Sequence, residues 1–196
     1  LSFLVTSLNL SVLFTLIVIL TLVSIVIMLT FRYDSRVSHK QFKYEFWDLI
    51  LNKKLNPYFF DILILHTILT SIFVAIPVMM TEVYAFVVDE FPQLYSSIFI
   101  LSLMITLPLL GFERKRPNII RNLSVIILTL SLIGIYSLFS TSLFGVVVAL
   151  ICYIGSFSVL EAGIPSALSK NTNLNNRGLT MSIYTSFQFF GTFLGG

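Results

Sequence analysis

The sequence predicts an all-α, polytopic membrane protein with six transmembrane helices, and three observations carry that prediction. Apolar residues dominate: 57% of the 196 residues are hydrophobic and 11% are charged, about half the charge fraction of a soluble domain. They gather into six runs, roughly 8–31, 57–82, 94–112, 118–139, 142–165 and 178–196. A helix rising about 1.5 Å per residue needs about 20 such residues to cross the hydrocarbon. Finally, all twelve Lys and Arg fall in or beside the first, third and fifth loops. Cytoplasmic loops collect Lys and Arg, so 32–56, 113–117 and 169–177 are expected on the inside. One span more or fewer would scramble that alternation.

On this reading the net charge of +3 is a topology signal, not a nucleic-acid footprint. A lone cysteine, Cys152, cannot form an internal disulfide. No HExxH, paired carboxylates, nucleophile constellation or Walker-type loop is present, so no catalytic residue, no metal and no cofactor is expected. The first apolar run is too long for a cleavable signal peptide. The chain starts without Met and stops inside an apolar run, so an internal piece of a longer protein is expected.

The first run (VLFTLIVILTLVSIVIMLTF) is apolar all round apart from isolated hydroxyls, which predicts a lipid-facing helix. The loop 32–56 carries Arg32, Arg36, Lys40, Lys43, Lys53 and Lys54. Phe42, Phe46 and Ile50 recur there at helical spacing, with Trp47 and Leu51 alongside, which describes a basic amphipathic helix at the membrane surface. A solvated connector is the alternative for its first half. Pro57 then opens the second span, where its missing N–H costs little. That span places His66 and Thr70 in line with Phe73 and Pro77.

The second loop holds Glu82, Asp89 and Glu90 without a cation, and the third is GFERKRPN. The fourth span (VIILTLSLIGIYSLF) again reads as lipid-facing. On the fifth, Ser158 and Glu161 stand three apart; on the sixth, Tyr184 and Gln188 line up with Gly191 and Gly195. An ionisable residue inside a span is a functional-site hypothesis by default. The second, fifth and sixth helices are therefore expected to line a wet interior through Thr70, Phe73, Ser158, Tyr184 and Gln188. Hydroxyls bonding their own helix backbone are the alternative, preferred for Thr67 and Ser71. Gly178, Gly191 and Gly195 are expected to let helices approach closely.

The stretches LNPYFFDILILHTILTSIFVAIPVMM, LEAGIPSAL and RGLTMSIYTSFQFFGTFLGG, with the long basic loop and the ERKR loop, resemble transmembrane helices 6 to 11 of the major facilitator superfamily. The nearest likeness is to its bacterial proton-coupled, drug-efflux-type, YajR-like branch. At the third loop the superfamily's acidic–basic–x–Gly–basic signature puts Glu113 and Arg114 in the first two places, with Arg116 where a Gly belongs and Leu109 where the upstream Gly belongs. The resemblance implies a twelve-helix fold of two six-helix halves that rock about a midplane site. Residues 1–31 would be the last helix of the N-terminal half, 32–56 the cytoplasmic linker, and 57–196 five helices of the C-terminal half. The N-terminal half would be a partner from the same protein, and the setting a bacterial inner membrane.

His66 lies nine residues in from Pro57, and Glu161 lies eight before Ser169, on antiparallel spans. At 1.5 Å per residue both sit about 12–14 Å from the inner surface, short of the midplane. Equal depth permits contact; the resemblance implies that their helices are neighbours. His66 and Glu161 are then expected to bind a driving proton as one coupled unit. A static hydrogen bond between two helices is the alternative. Asp61, Glu113, Arg114, Lys115 and Arg116 are expected to form an inner gate, or the cations serve only to set orientation. The leading function is a secondary transporter exporting a small molecule against protons, with substrate, protons and lipid as partners. A channel would need a continuous polar row, for which one Glu and one His are too sparse. A non-transporting scaffold or receptor explains the topology but not Glu161.

Overall fold

The computed structural model describes residues 10–30, 46–113 and 115–196. Most of the first loop, with Arg32, Arg36, Lys40, Phe42 and Lys43, and Arg114 of the third, lie outside the described residues. The regular structure among the described residues is all helical: α1 (Leu10–Thr30), α2 (Phe46–Ile50), α3 (Asn56–Tyr84), α4 (Phe91–Glu113), α5 (Pro117–Leu138), α6 (Leu143–Asn171) and α7 (Arg177–Gly195). Single 3-10 turns at Val88–Glu90 and Leu174–Asn176 lead into α4 and α7. The protein is a multi-pass membrane protein. Asn56–Tyr84, Val88–Glu113, Pro117–Leu138 and Leu143–Asn171 are each long and apolar enough to cross a bilayer. In α1 the apolar side chains of Val18, Leu20, Leu22, Val26 and Leu29 are exposed. The most polar of the long helices is α7, because Arg177, Thr180, Ser182, Thr185, Ser186 and Gln188 interrupt its apolar residues.

Local chemistry sets the ends. Prolines occupy the first turns of α3 and α5, where no backbone donor is required. Ser142 caps α6, its hydroxyl accepting from the Gly145 N–H at 3.1 Å. The α3 helix stops at Ala85, in the left-handed region at φ 54°, and the Phe86 N–H closes back on the Met80 carbonyl. Where α6 gives way to α7, Arg177 donates to the Ser169 carbonyl at 3.1 Å, a cation on the exposed carbonyls of α6.

The core is built on α6. Its buried side chains run from Val146 to Leu168 and include Tyr153, Phe157, Leu160 and Ile164. Against it pack α4 and α5. The α4 contact is close at Gly155, where a Cβ would meet Ile105 at 3.1 Å, and Thr106 donates to the Gly155 carbonyl at 3.3 Å. The remaining long helix, α7, lies on α3 rather than on α6. The described bundle therefore has two parts, an α4–α5–α6 trio and an α3–α7 pair. Leu49 of α2 is buried with Leu55 in the common core, whereas Trp47 beside it is exposed.

Candidate functional site

His66 sits where the two parts meet. Helix α3 presents it toward both partners, and it is 6% exposed. Its Nδ1 lies 3.2 Å from the Ile62 carbonyl oxygen, one turn back. Its Nε2 lies 2.9 Å from Gln188 Nε2 on α7 and 3.5 Å from Glu161 Oε1 on α6. The ring edge also meets the Phe157 ring, centroids 5.5 Å apart. Glu161 is half-exposed while His66 is buried, so the carboxylate is the wetter end of the pair. Tyr184, buried on α7, lies within electrostatic reach of Glu161.

The residues expected to line an interior divide by what their polar atoms do. Thr70 donates to the His66 carbonyl at 3.0 Å, Ser158 to the Ile154 carbonyl at 2.8 Å and Thr67 to the Leu63 carbonyl at 2.8 Å. These hydroxyls are spent on their own helices, the cheapest partner for a donor in hydrocarbon. Ser71 differs from the sequence reading: its hydroxyl crosses to the Gly195 carbonyl of α7 at 3.1 Å. Phe73 also differs. It faces α4, its ring stacked on Tyr95 and Phe99 at 5.8 and 6.3 Å, because that contact buries more aromatic surface than a wet interior would. Gln188 is the residue that enters the site directly.

The glycines separate as well. A Cβ on Gly191 would lie 2.3 Å from the Leu63 carbonyl oxygen, and one on Gly195 would lie 2.3 Å from that of Thr67. The α7 backbone thus rests on the α3 backbone. Gly178, read as a packing position, has open space around it; it lies in the first turn of α7, short of the crossing. Gly163, absent from the sequence reading, is where a close approach occurs on α6: a Cβ there would lie 2.5 Å from Glu113 Oε1.

At one end of the bundle Asp61, Glu113, Arg121 and Lys170 line one cleft between α3, α4, α5 and α6, with Tyr58 and Asn171 beside them. Asn171 donates to the Tyr58 hydroxyl at 3.2 Å. The cation in electrostatic contact with Asp61 is Arg121. Lys115 and Arg116 are exposed in the turn before α5. Helix geometry explains the difference: Arg121 lies one turn inside α5 and lines the same cleft as Asp61, which Lys115 and Arg116 do not. The sequence carried the signal for Arg121 as a cation set inside an apolar run, but not its direction. Among the described residues no three His, Cys, Asp or Glu side chains gather as a metal site.

Comparison with known proteins places this architecture. The profile of the Major Facilitator Superfamily matches residues 1–196. An uncharacterised transporter of Buchnera aphidicola subsp. Baizongia pistaciae is 26% identical over 155 residues, covering 77% of this chain and 39% of that protein. A second one, from Buchnera aphidicola subsp. Acyrthosiphon pisum, is 29% identical over 150 residues, 76% of this chain and 38% of its own. The inner membrane transport protein YajR of Escherichia coli is 26% identical over 145 residues, 73% of this chain and 31% of its own. The match thus takes in well under half the length of these relatives. No solved structure matches the chain at a significant level.

Proposed function

The chain belongs to the major facilitator superfamily, its helices fit part of a twelve-helix fold, and on that premise we propose that it is part of a secondary active transporter coupling small-molecule export to proton entry. The carrying observation is the contact of His66 Nε2 with Glu161 Oε1 at 3.5 Å, across the boundary between two helix groups. Each of the two groups can carry a proton, and each lies within reach of the other. A proton can then be held by the pair while His66 stays dry, and it can exchange with water through the half-exposed Glu161. If the two helix groups shift as the cavity opens to one side or the other, the pair is loaded on one side and emptied on the other. Asp61, Arg121, Glu113 and Lys170 supply the ionic contacts that close the inner end, with Lys115 and Arg116 left to set orientation. The relatives' names, two transporters and an inner membrane transport protein, support a bacterial inner membrane, and the Lys and Arg of loops 32–56, 113–117 and 169–177 support placing those loops on the cytoplasmic side.

A static clamp is the competing reading, favoured by one observation: both ring nitrogens of His66 already have a partner besides Glu161. Glu161→Gln in the full-length protein separates the two. A coupling role predicts that proton-driven transport is lost while substrate counterflow persists. Persistence of both removes the coupling role, and loss of both points to the clamp.

A further inference from the structure

The His66 hydrogen bonds carry information about its proton that the Glu161 contact alone does not. A backbone carbonyl accepts and never donates, so the 3.2 Å contact of Nδ1 with the Ile62 oxygen assigns the ring hydrogen to Nδ1. A neutral imidazole has one hydrogen, which leaves Nε2 as a bare acceptor. Gln188 at 2.9 Å must then present its amide NH2, the one half of that group able to donate to a lone pair. This holds whichever way the amide is drawn. Both partners are held in place. Ile62 is fully buried on the same helix, and Gln188 lies one turn from Gly191, where α7 meets the α3 backbone. The groups facing the imidazole are Glu161 from α6, Gln188 from α7 and the Ile62 carbonyl from α3 itself.

We propose that Gln188 is a positioning residue that holds His66 in its Nδ1–H tautomer, so that an incoming proton is taken on Nε2, the nitrogen facing Glu161. In the other tautomer Nε2–H could serve Glu161 at 3.5 Å, but the vacant Nδ1 would face the Ile62 carbonyl at the shorter 3.2 Å, lone pair against lone pair. The amide is also a readout of the proton. Once Nε2–H forms, two donors oppose each other at 2.9 Å. Gln188 must then turn its carbonyl to the ring, or the ring must lean to Glu161. The inference rests on the proposed proton role of His66 for its transport consequence, but the tautomer does not depend on that role.

The test is 15N NMR of the full-length protein in lipid nanodiscs, with histidine labelled in the ring. The His66 signals are identified as those lost in His66→Gln. Wild type is expected to show neutral His66 as Nδ1–H. Gln188→Leu removes the donor, and the Nδ1–H to Nε2–H ratio should fall about fivefold, the weight of one neutral buried hydrogen bond. Gln188→Glu keeps the size and, at a pH where the new carboxyl is ionised, offers only acceptors, so hydrogen should then move to Nε2 in most molecules. A wild-type Nε2–H tautomer, an unchanged ratio in Gln188→Leu, or retained Nδ1–H in Gln188→Glu each overturns the proposal. If Glu161→Gln leaves proton-driven transport intact while Gln188→Leu still moves the ratio, the coupling reading fails and the positioning role stands.

Discussion

His66 is approached from two sides, and the approaches differ in kind. On the α7 side the contact is backbone on backbone: Gly191 and Gly195 leave no room for a methyl group, and Ser71 bonds across to the Gly195 carbonyl. On the α6 side the polar contact at the site is a single 3.5 Å approach by a half-exposed carboxylate, with Phe157 edge-on beside it. A close-packed seam of small residues has few alternative registers, because any slide drives carbonyls together. A seam of side chains can repack by turning rotamers. The α3–α7 pair is therefore the rigid side of the site and the α3–α6 contact the adjustable one. The proposed coupling role, in which a proton must empty into different surroundings, calls for such a boundary.

The comparison breaks most readily at the glycines. Gly191→Ala should destabilise the full-length protein by about 2–3 kcal/mol, since the added methyl meets backbone that cannot swing away. Gly178→Ala, with open space at the same atom, should stay within about 0.5 kcal/mol. Thermal unfolding in one detergent compares the two; equal shifts would remove the distinction between the seams. Glu161→Gln should move the same transition by less than about 1 kcal/mol, because a half-exposed carboxylate loses little when its charge goes. A loss as large as that of Gly191→Ala would mean the α6 side is a clamp. The smallest effect is expected in the cleft that holds Asp61 and Arg121. A double-mutant cycle of Asp61→Asn and Arg121→Gln should give a coupling of at most about 1 kcal/mol, screened by salt, as for other partly solvated pairs. The same cycle with Lys115→Gln in place of Arg121→Gln should give none.

Much of the site's placement was legible before any contact was known. Counting from Pro57 and from Ser169 puts His66 and Glu161 at one depth because helical rise is constant, whatever the side chains do. What could not be read is rotation. Phe73 falls on the same sequence stripe as His66 and Thr70, yet it stacks on α4. Over seven residues a helix of 3.6 residues per turn drifts by only about 20°, and the neighbours decide which side of the stripe each ring takes. The hydroxyls of Thr67 and Ser71 sit four apart and look alike, but one bonds its own helix and the other crosses to α7. The difference is whether a carbonyl of another chain segment stands within reach.

The sequence by itself determined the class, the four long apolar helices among the described residues and the matching heights of His66 and Glu161 along their helices. Each follows from composition summed over about twenty residues or from a fixed rise per residue, and neither depends on a partner. Tertiary structure decided the pairings: Gln188 with His66, Arg121 with Asp61, Gly163 with Glu113, and α7 on α3 rather than on α6. In hydrocarbon every helix satisfies its own backbone and lipid is as apolar as leucine, so apolarity does not choose neighbours. That choice falls to small residues and a few polar atoms, whose meaning exists only once a second helix stands opposite them.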